Sequence, residues 1–266
     1  MDIADFSLNL FSLAGRNALV TGGNTGLGRA FSVALATAGA DVFAVGLAED
    51  DGTTRRLIEG AGRRMELMLA DITRPGVPAA IVRRCAETLG SVDLLVNSAG
   101  IALLADVEEF GRDQWDAMVS VNLTAAFELA YEASRFMIEQ RSGKIINIGS
   151  LFSFLGGKRS PAYAATKAGI VGFTKAYCDE LAAYNIQVNA IAPGYFKTAI
   201  TEAARLARKT TVPIRSAVSP QRAAGMCSTI RRSVAGSARA ASVIAVLKYP
   251  GAMALTWMLR AASSSQ

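Results

Sequence analysis

The chain has 266 residues, 51% of them hydrophobic, which is enough to bury the core of one large α/β domain. It contains no histidine, so histidine general bases and histidine metal ligands are excluded. The three cysteines lack metal-ligand spacing, so we predict no metal site and expect buried thiols in a reducing cytoplasm. No apolar run reaches the roughly 18 residues of a membrane span. The first five residues carry two acids and no base, unlike a signal peptide.

The net charge of +6 belongs to one end of the chain. Residues 1–203 hold 18 Lys and Arg against 22 Asp and Glu, a net charge of −4. Residues 204–266 hold 10 Lys and Arg and no acid. A basic tail can bind nucleic acid, but this one lacks interleaved aromatic residues and a recognisable binding motif, so we expect no nucleic-acid partner.

Short apolar segments alternate with segments of helical spacing. The first predicted strand, Asn17–Thr21, runs into a glycine-rich turn, and a helix over residues 29–38 follows it and stops before Gly39. Five further strands are predicted over residues 41–45, 66–71, 92–97, 144–148 and 186–191, with another helix over residues 79–89. Buried strands that alternate with helices predict a parallel, doubly wound sheet.

Polar and glycine residues cluster at the ends of these strands. Gly22, Asn97, Ser150 and Pro193 all fall at the carboxyl end of a predicted strand. Ligands of doubly wound sheets bind beyond that edge. We therefore expect the functional site there.

Tyr163 and Lys167 are four residues apart, with Ser150 thirteen residues upstream. On a helix this spacing puts the lysine ammonium and the phenol on one face. A free tyrosine, with a pKa of about 10, is a poor base at neutral pH, and lowering that pKa by roughly three units needs about 4 kcal/mol. A neighbouring cation and an oxidised nicotinamide would favour the phenolate. The pair therefore predicts a hydride-transfer site, although an amphipathic helix with a solvated lysine gives the same spacing.

Several motifs, taken in order, resemble the short-chain dehydrogenase/reductase family. The glycine turn is spaced Gly-x-x-x-Gly-x-Gly over residues 22–28. The matching motifs are Thr21-Gly22, Gly26-Leu27-Gly28, Asp71-Ile72, Asn97-Ser98-Ala99-Gly100, Asn122, Ser150, Tyr163, Lys167 and Pro193-Gly194. The match covers roughly residues 12–203. The resemblance implies a Rossmann-like fold and an NAD(P)-dependent oxidoreductase.

The same resemblance implies roles for individual residues. Tyr163 would be the general acid/base, Ser150 would hydrogen-bond the substrate oxygen, and Lys167 would bind the nicotinamide ribose and depress the tyrosine pKa. Asn122 would hold a water in a proton relay, and Asp71 would lie beside the adenine; ordinary capping of helix or strand ends is the alternative for both. The implied cofactor-binding residues are Gly22, Asn24, Gly26, Leu27, Gly28, Asp71, Ile72, Asn97, Ala99, Gly100, Tyr163, Lys167, Pro193, Gly194 and Thr198.

The end of the second strand departs from the family pattern. The family places an acid there to bind the ribose of NAD, or basic residues to bind the phosphate of NADP. Here the sequence continues through Gly46 and Leu47 to Glu49 and Asp50, with no basic residue nearby in the chain. We expect NAD as the cofactor, with NADP as the alternative, because the negative charges of these two acids would repel the 2′-phosphate of NADP.

Residues 143–195 most resemble the 2-deoxy-D-gluconate 3-dehydrogenase (2-keto-3-deoxygluconate oxidoreductase) branch, whose substrates are sugar acids. Lys158 and Arg159 could pair with a sugar carboxylate or be solvated surface charges. Gluconate 5-, polyol and 3-oxoacyl reductases share most of these motifs. A non-catalytic nucleotide-binding protein is a further alternative, which the complete set of Ser150, Tyr163 and Lys167 disfavours.

After about residue 204 the resemblance stops. The family's substrate-covering helix, final strand and closing Val-Asp-Gly-Gly segment are not visible. We therefore divide the chain into a Rossmann-like dinucleotide-binding and catalytic domain, residues 1–203, and a divergent basic tail, residues 204–266. A genuine tail would leave the sheet without its last strand and the site without a lid. It would also put in doubt the homotetramers that are common in the family.

The genetic code offers another origin for the tail. Read one base out of frame, Met253-Ala254 must encode Gly and Trp257-Met258 must encode Asp, and residues 260–266 can encode Gly-Gly-Phe-Leu-Val-Ala. This text is close to the family's ending. Our hypothesis is a shift of reading frame near residues 203–210; a genuinely divergent C-terminus is the alternative.

Overall fold

The computed structural model describes residues 11–196, Thr198 and the backbone of Ile244–Leu247. These residues form a seven-stranded sheet in the order β3-β2-β1-β4-β5-β6-β7, and every neighbouring pair is parallel. The strand order reverses between β1 and β4, which is where doubly wound sheets open a crevice for a ligand. The predicted α/β, Rossmann-like fold is confirmed.

The strands and helices have the following bounds. The strands are β1 Asn17–Thr21, β2 Asp41–Gly46, β3 Met65–Leu69, β4 Leu94–Asn97, β5 Gly143–Ile148, β6 Ile186–Pro193 and β7 Ile244–Leu247. The α-helices are α1 Gly26–Thr37, α2 Thr53–Gly60, α3 Val77–Leu89, α4 Arg112–Val119, α5 Ala125–Gln140 and α6 Pro161–Leu181. A π-helical turn, Ser120–Thr124, joins α4 to α5, and short 3-10 turns occupy Leu151–Ser153 and Ala182–Tyr184.

Two hydrophobic clusters cover the faces of the sheet. One packs β-strand residues such as Leu19 and Leu95 against α3 and α5, and the other packs Val20 and Val42 against α1 and α2. Alternate residues of one strand therefore enter opposite clusters, as the period of a strand requires. Burial on both faces explains why the strands are apolar throughout.

The register aligns the carboxyl ends of the central strands. Thr21 pairs with Asn97, Asn97 with Asn147, and Ile148 with Ile191. The segments that leave β1, β4, β5 and β6 consequently start from one edge, and the site is assembled there.

Several predicted boundaries are corrected. Helix α1 begins at Gly26, inside the glycine turn, and not at residue 29. Strand β3 ends at Leu69 because the carboxylate of Asp71 accepts hydrogen bonds from the amide and hydroxyl of Thr73 and turns the chain. Strand β6 continues to Pro193, which is paired with Leu247.

The expectation that the tail supplies no final strand was wrong. Ile244–Leu247 pair with β6 in parallel from Ala190 to Pro193 and cover the backbone groups of that strand. The rest of the tail, with the predicted loss of a lid, lies outside the described residues. Within the part of the chain that the structure describes, no helix is both long and apolar enough to cross a membrane.

Candidate active site

The glycine turn between β1 and α1 brings backbone to the sheet edge. Gly22 and Gly26 have φ of 63° and 51°, a left-handed conformation that favours glycine. A side chain on Gly28 would overlap the carbonyl oxygen of Gly22, so only hydrogen fits there. Thr25 precedes α1 but makes no capping hydrogen bond, and the first turn of α1 contains no acid. The amide groups at this helix end can therefore bind a pyrophosphate, and these residues fit a dinucleotide cofactor.

The segment after β4 is fastened to this turn. The hydroxyl of Thr21 accepts hydrogen bonds from the amides of Ser98 and Ala99, both at 3.1 Å. A Cβ on Gly22 would lie 3.2 Å from the Cα of Ala99. Two predicted cofactor-binding motifs thus form one continuous backbone surface.

Asn97 has a structural role in the sheet. Its side-chain amide donates to Asn147 Oδ1 at 2.9 Å and to the carbonyl of Ala126 on α5 at 3.0 Å. The side chain is only 5% exposed and links β4, β5 and α5. Contact with a cofactor stays a prediction for Asn97.

Asn122 lies on the π-helical turn between α4 and α5. Its Oδ1 accepts from the amide of Ile101 at 2.8 Å, and its Nδ2 donates to the carbonyl of the same residue at 2.9 Å. A Cβ on Gly100 would lie 3.2 Å from Asn122 Oδ1 and 3.8 Å from Lys167 Nζ, so the three residues meet. Such π-turns are rare and often occur at functional sites. The Asn122 side chain therefore holds the segment after Gly100 against the lysine.

Tyr163 and Lys167 lie in the first two turns of α6, which starts with Pro161 at a position that suits proline. Lys167 is 5% exposed, and its Nζ donates to the carbonyl of Ile148 at 2.6 Å. The same Nζ is 5.7 Å from the centre of the Tyr163 ring. The predicted spacing therefore does place the two groups together, and the solvated-lysine alternative does not apply.

Ser150 follows β5 and hydrogen-bonds the phenol of Tyr163. Its Oγ also accepts from the amide of Phe152 at 3.2 Å, which fixes the orientation of the hydroxyl. The predicted set of Ser150, Tyr163, Lys167 and Asn122 is thus gathered in one place.

Two neighbours of this set were not recognised as site residues from the sequence. Ser153 donates through Oγ to the carbonyl of Lys167 at 2.7 Å and accepts from the amide of Ser150 at 3.1 Å, so it ties the two segments together. The ring of Phe152 packs edge-on against Tyr163, 5.9 Å between centroids. The spacing Ser-x-x-Ser was a usable signal for the first; nothing in the pattern pointed to the second.

The electrostatics differ from the expectation in one respect. In the protein alone, burial raises the pKa of Tyr163, and the hydrogen bond from Ser150 only opposes that rise. Burial also lowers the pKa of Lys167 to about 8. In the protein alone, desolvation of the phenol outweighs the favourable interactions, and the depression of the tyrosine pKa by Lys167 with a bound cofactor stays a prediction. At pH 7 the lysine still carries a proton.

The other predicted cofactor-binding residues spread along the same edge. Asp71 follows β3, where hydrogen bonds from Thr73 lower its pKa, and Ile72 is buried in the core. Thr198 reaches the glycine turn, since its Cγ2 would lie 3.9 Å from a Cβ on Gly26. Leu27 packs into the core cluster under α1, and Pro193 ends β6 immediately before Gly194.

The end of β2 contains a cation that the chain order concealed. Arg29 on α1 forms an ion pair with Asp50, 3.1 Å from Nη2 to Oδ2, so a basic side chain that is distant in the chain lies beside this turn. Asn24 donates to the carbonyl of Ala48 at 2.7 Å and lies against Gly46. The glycine turn and the turn after β2 are therefore in direct contact.

Lys158 and Arg159 differ in their surroundings. Lys158 is exposed, whereas Nε of Arg159 lies 3.1 Å from Asp106 Oδ1. Arg159 has a φ of 64°, and its carbonyl accepts from the amide of Ala105. Arg159 thus joins two loops as an ion-pair partner and is not a solvated charge.

Comparison with known proteins agrees with this geometry. The model of the short chain dehydrogenase family matches residues 16–209. The uncharacterized oxidoreductase YgcW of Escherichia coli K12 is 58% identical over 200 residues, 75% of this chain and 77% of the relative. The 2-dehydro-3-deoxy-D-gluconate 5-dehydrogenase of Dickeya dadantii is 41% identical over 199 residues, 74% of this chain and 78% of the relative.

A solved structure extends the comparison. The gluconate 5-dehydrogenase of Burkholderia cenocepacia, in complex with NADP and tartrate, superposes with a TM-score of 0.70 at 36% identity and covers 74% of this chain and 78% of its own. Sequence, fold and site geometry thus agree, and the chain belongs to the short-chain dehydrogenase family of NAD(P)-dependent oxidoreductases.

Proposed function

We propose that this chain transfers a hydride between a nicotinamide cofactor and a secondary alcohol or ketone of a sugar acid such as 2-deoxygluconate or gluconate. One observation carries the proposal: the phenol of Tyr163 is hydrogen-bonded to Ser150 and lies one helical turn from the buried Lys167, beside a glycine turn that fits a pyrophosphate. The names of the relatives support the substrate class.

The cofactor would be held by the glycine turn, the segment from Asn97 to Gly100, Thr198 and Lys167. When bound, the nicotinamide accepts or supplies the hydride. The chain's own contribution is to orient the substrate oxygen and to move its proton. Ser150, with its Oγ orientation fixed by the amide of Phe152, is placed to hydrogen-bond that oxygen.

Tyr163 is the proposed proton carrier. Because its pKa is raised by burial, the phenol is protonated at neutral pH and suited to protonate a carbonyl oxygen during reduction. Oxidation of an alcohol needs the phenolate instead. We therefore expect the rate of oxidation to rise with pH and the rate of reduction to fall.

Lys167 and Asn122 would serve this proton transfer. The ammonium of Lys167 is one helical turn from Tyr163 and would favour the phenolate once a second positive charge is bound nearby. Asn122 holds the backbone after Gly100 against Lys167 and would keep a relay water in place.

Lys158 is the better of the two predicted carboxylate partners, because Arg159 is already paired with Asp106.

A second candidate substrate class is a 3-oxoacyl chain, one of the alternatives open from the sequence. The segment 101–104 favours a 3-oxoacyl substrate, because its four residues are apolar and Leu103 is 36% exposed. This segment adjoins the site, since the amide of Ile101 donates to Asn122. The cytoplasm is the proposed setting, in agreement with the buried thiol of Cys85.

The test combines turnover with cofactor binding. Tyr163→Phe should abolish measurable turnover of a sugar-acid panel and still bind NADH, followed by its fluorescence. Tyr131→Phe removes the same hydroxyl from an exposed position on α5 and should leave both properties unchanged. Full turnover by Tyr163→Phe would contradict the proposed proton carrier; binding without turnover in the wild type would favour a non-catalytic protein.

The substrate class is tested on the wild type. Values of kcat/KM for 2-deoxygluconate, gluconate, a polyol and a 3-oxoacyl thioester should be highest for a sugar acid. A higher value for the thioester would transfer the assignment to the second candidate. Lys158→Gln should raise KM for the sugar acids and leave that for the polyol unchanged.

A further inference from the structure

Phe152 contacts two of the proposed catalytic residues at once. It lies in the short 3-10 turn Leu151–Ser153 that follows β5, and its amide donates to Ser150 Oγ at 3.2 Å. Its ring packs edge-on against the ring of Tyr163, with 5.9 Å between the centroids and 80° between the ring planes. The backbone of Phe152 therefore orients the serine hydroxyl, while its side chain contacts the tyrosine.

A glycine makes room for this ring. A Cβ on Gly157 would lie 2.5 Å from Cε2 and from Cζ of Phe152, closer than two non-bonded carbon atoms approach. The φ of Gly157 lies outside the left-handed region, so the backbone conformation does not itself require glycine there. The ring fills the space that a side chain at residue 157 would take, and Gly157 and Tyr163 both limit its position.

Among the described residues, the phenol of the tyrosine has a charged neighbour on its own helix and uncharged ones on the elements packed against that helix. The ammonium of Lys167 is 5.7 Å from the ring centre. The turn after β5 contributes the hydroxyl of Ser150, and the π-helical turn contributes the amide of Asn122. In the loop before α6, Arg159 is paired with Asp106. Burial, opposed by the hydrogen bond from Ser150, therefore raises the pKa of the phenol.

We propose that Phe152 is a positioning residue for the proton transfer, whose ring holds the Tyr163 side chain in place and keeps water from the phenol. Aromatic rings in edge-to-face contact favour one relative orientation. An apolar ring beside the phenol also replaces water there, and loss of that water disfavours the phenolate. The inference rests on the proposed function and adds a residue that adjusts the pH at which the proposed proton carrier acts.

The first test uses Phe152→Leu, which keeps the position apolar but removes the ring that contacts Tyr163. Water then reaches the phenol and its pKa falls, so the midpoint of the pH profile of kcat/KM for alcohol oxidation should move down by roughly 0.5–1 pH unit. Loss of the fixed orientation should lower kcat by about tenfold, while NADH binding persists. Phe154→Leu changes an exposed ring nearby and, as the matched control, should leave the midpoint in place.

Gly157→Ala perturbs the same contact from the other side. Its added methyl should displace the ring of Phe152 and lower kcat by about tenfold. Leucine at residue 152 lacks the ring carbons that the methyl would meet, so adding Gly157→Ala to Phe152→Leu should change kcat by less than about twofold. A loss from Gly157→Ala that is equally large in both backgrounds would show that the glycine acts independently of the ring, and the inference would be overturned.

A titration that needs no turnover completes the test. The ionisation of Tyr163 in the protein without cofactor is followed as the difference in phenolate absorbance between each protein and its Tyr163→Phe counterpart. Phe152→Leu should ionise at lower pH than the wild type, and Phe154→Leu at the same pH. An unchanged titration in Phe152→Leu refutes the inference, whatever the turnover. If the titration shifts but the wild type turns over no substrate, the proposed function fails and the positioning contact stands.

Discussion

Ser153 should control activity without touching the substrate. Its hydroxyl joins the carbonyl of Lys167 to the amide of Ser150, at 2.7 and 3.1 Å. Replacing it by alanine removes both bonds and leaves the Ser150 amide without this partner. We expect the loop that carries Ser150 to shift relative to Tyr163, while both catalytic side chains remain present.

The magnitude follows from the bonds lost. One hydrogen bond contributes roughly 1 kcal/mol to stability, and a buried donor left without a partner costs roughly 1–3 kcal/mol. Ser153→Ala should therefore lower the free energy of unfolding by about 2 kcal/mol. Misplacement of a reacting group by about 1 Å can cost on the order of a hundredfold in rate, so kcat should fall by roughly 10- to 100-fold.

Ser134→Ala is the matched control. Ser134 is a buried serine on α5 whose Oγ donates to the carbonyl of Tyr131 at 2.8 Å, away from the site. It should lose about 1 kcal/mol of stability in urea unfolding and retain wild-type kcat. NADH binding should persist in both variants. If kcat of Ser153→Ala equals that of Ser134→Ala, Ser153 acts only on stability and its positioning role is refuted.

Two further predictions concern the buried lysine and the tail. Because burial lowers the pKa of Lys167 to about 8, the unfolded chain binds more protons at this group than the folded one between about pH 8 and 10.5, and this lysine should raise the free energy of unfolding there by about 3 kcal/mol. Burial also lowers the pKa of Lys144 to about 8, so this second lysine should add to the rise. The rise is clearest up to about pH 9, because the pKa of Cys85, which burial raises to about 12, acts in the opposite direction above that pH, as do the raised pKa values of Tyr163 and Tyr177 above about pH 10. In urea unfolding, the free energy of unfolding should rise less with pH for Lys167→Met than for Lys175→Met, an exposed change on the same helix. Equal rises in the two variants would disprove the lowered pKa of Lys167. For the tail, DNA sequencing across codons 203–210 should show that a one-base change restores a family-like ending; an alternative frame interrupted by stop codons would rule that out.

The sequence predicted the parts of the fold that depend on local pattern. Strand β1 is confirmed at both ends, and β5 and β6 start or end within two residues of the predicted positions, because long apolar runs bounded by glycine or polar residues leave few alternatives. The meeting of Tyr163 with Lys167 was equally predictable from helical spacing. The pairing of β7 with β6 was not, because four apolar residues in a basic, acid-free segment carry no signal of which strand they will join.

Long-range contacts account for the remaining differences, and Arg29 illustrates them. In the chain it belongs to α1 and is separated from Asp50 by 21 positions, so a reading of the residues near β2 finds only acids. The parallel sheet brings the start of α1 beside the end of β2. Arg29 therefore pairs with Asp50 in the acidic turn that follows β2.

The pKa of Tyr163 shows the same limit for the chemistry. Helical spacing gives the distance to Lys167 but not the degree of burial, and burial decides the direction of the shift in the protein alone. Burying Lys167 with the Ile148 carbonyl as its hydrogen-bond acceptor destabilises the fold, since desolvation disfavours the charged form. Such a locally unfavourable arrangement is what a functional site retains when the chemistry requires it. The buried ammonium of Lys167 alone does not lower the pKa of the Tyr163 phenol below its usual value. Together with the positive charge of an oxidised nicotinamide in the same crevice, it can stabilise the phenolate and so favour loss of the phenol proton.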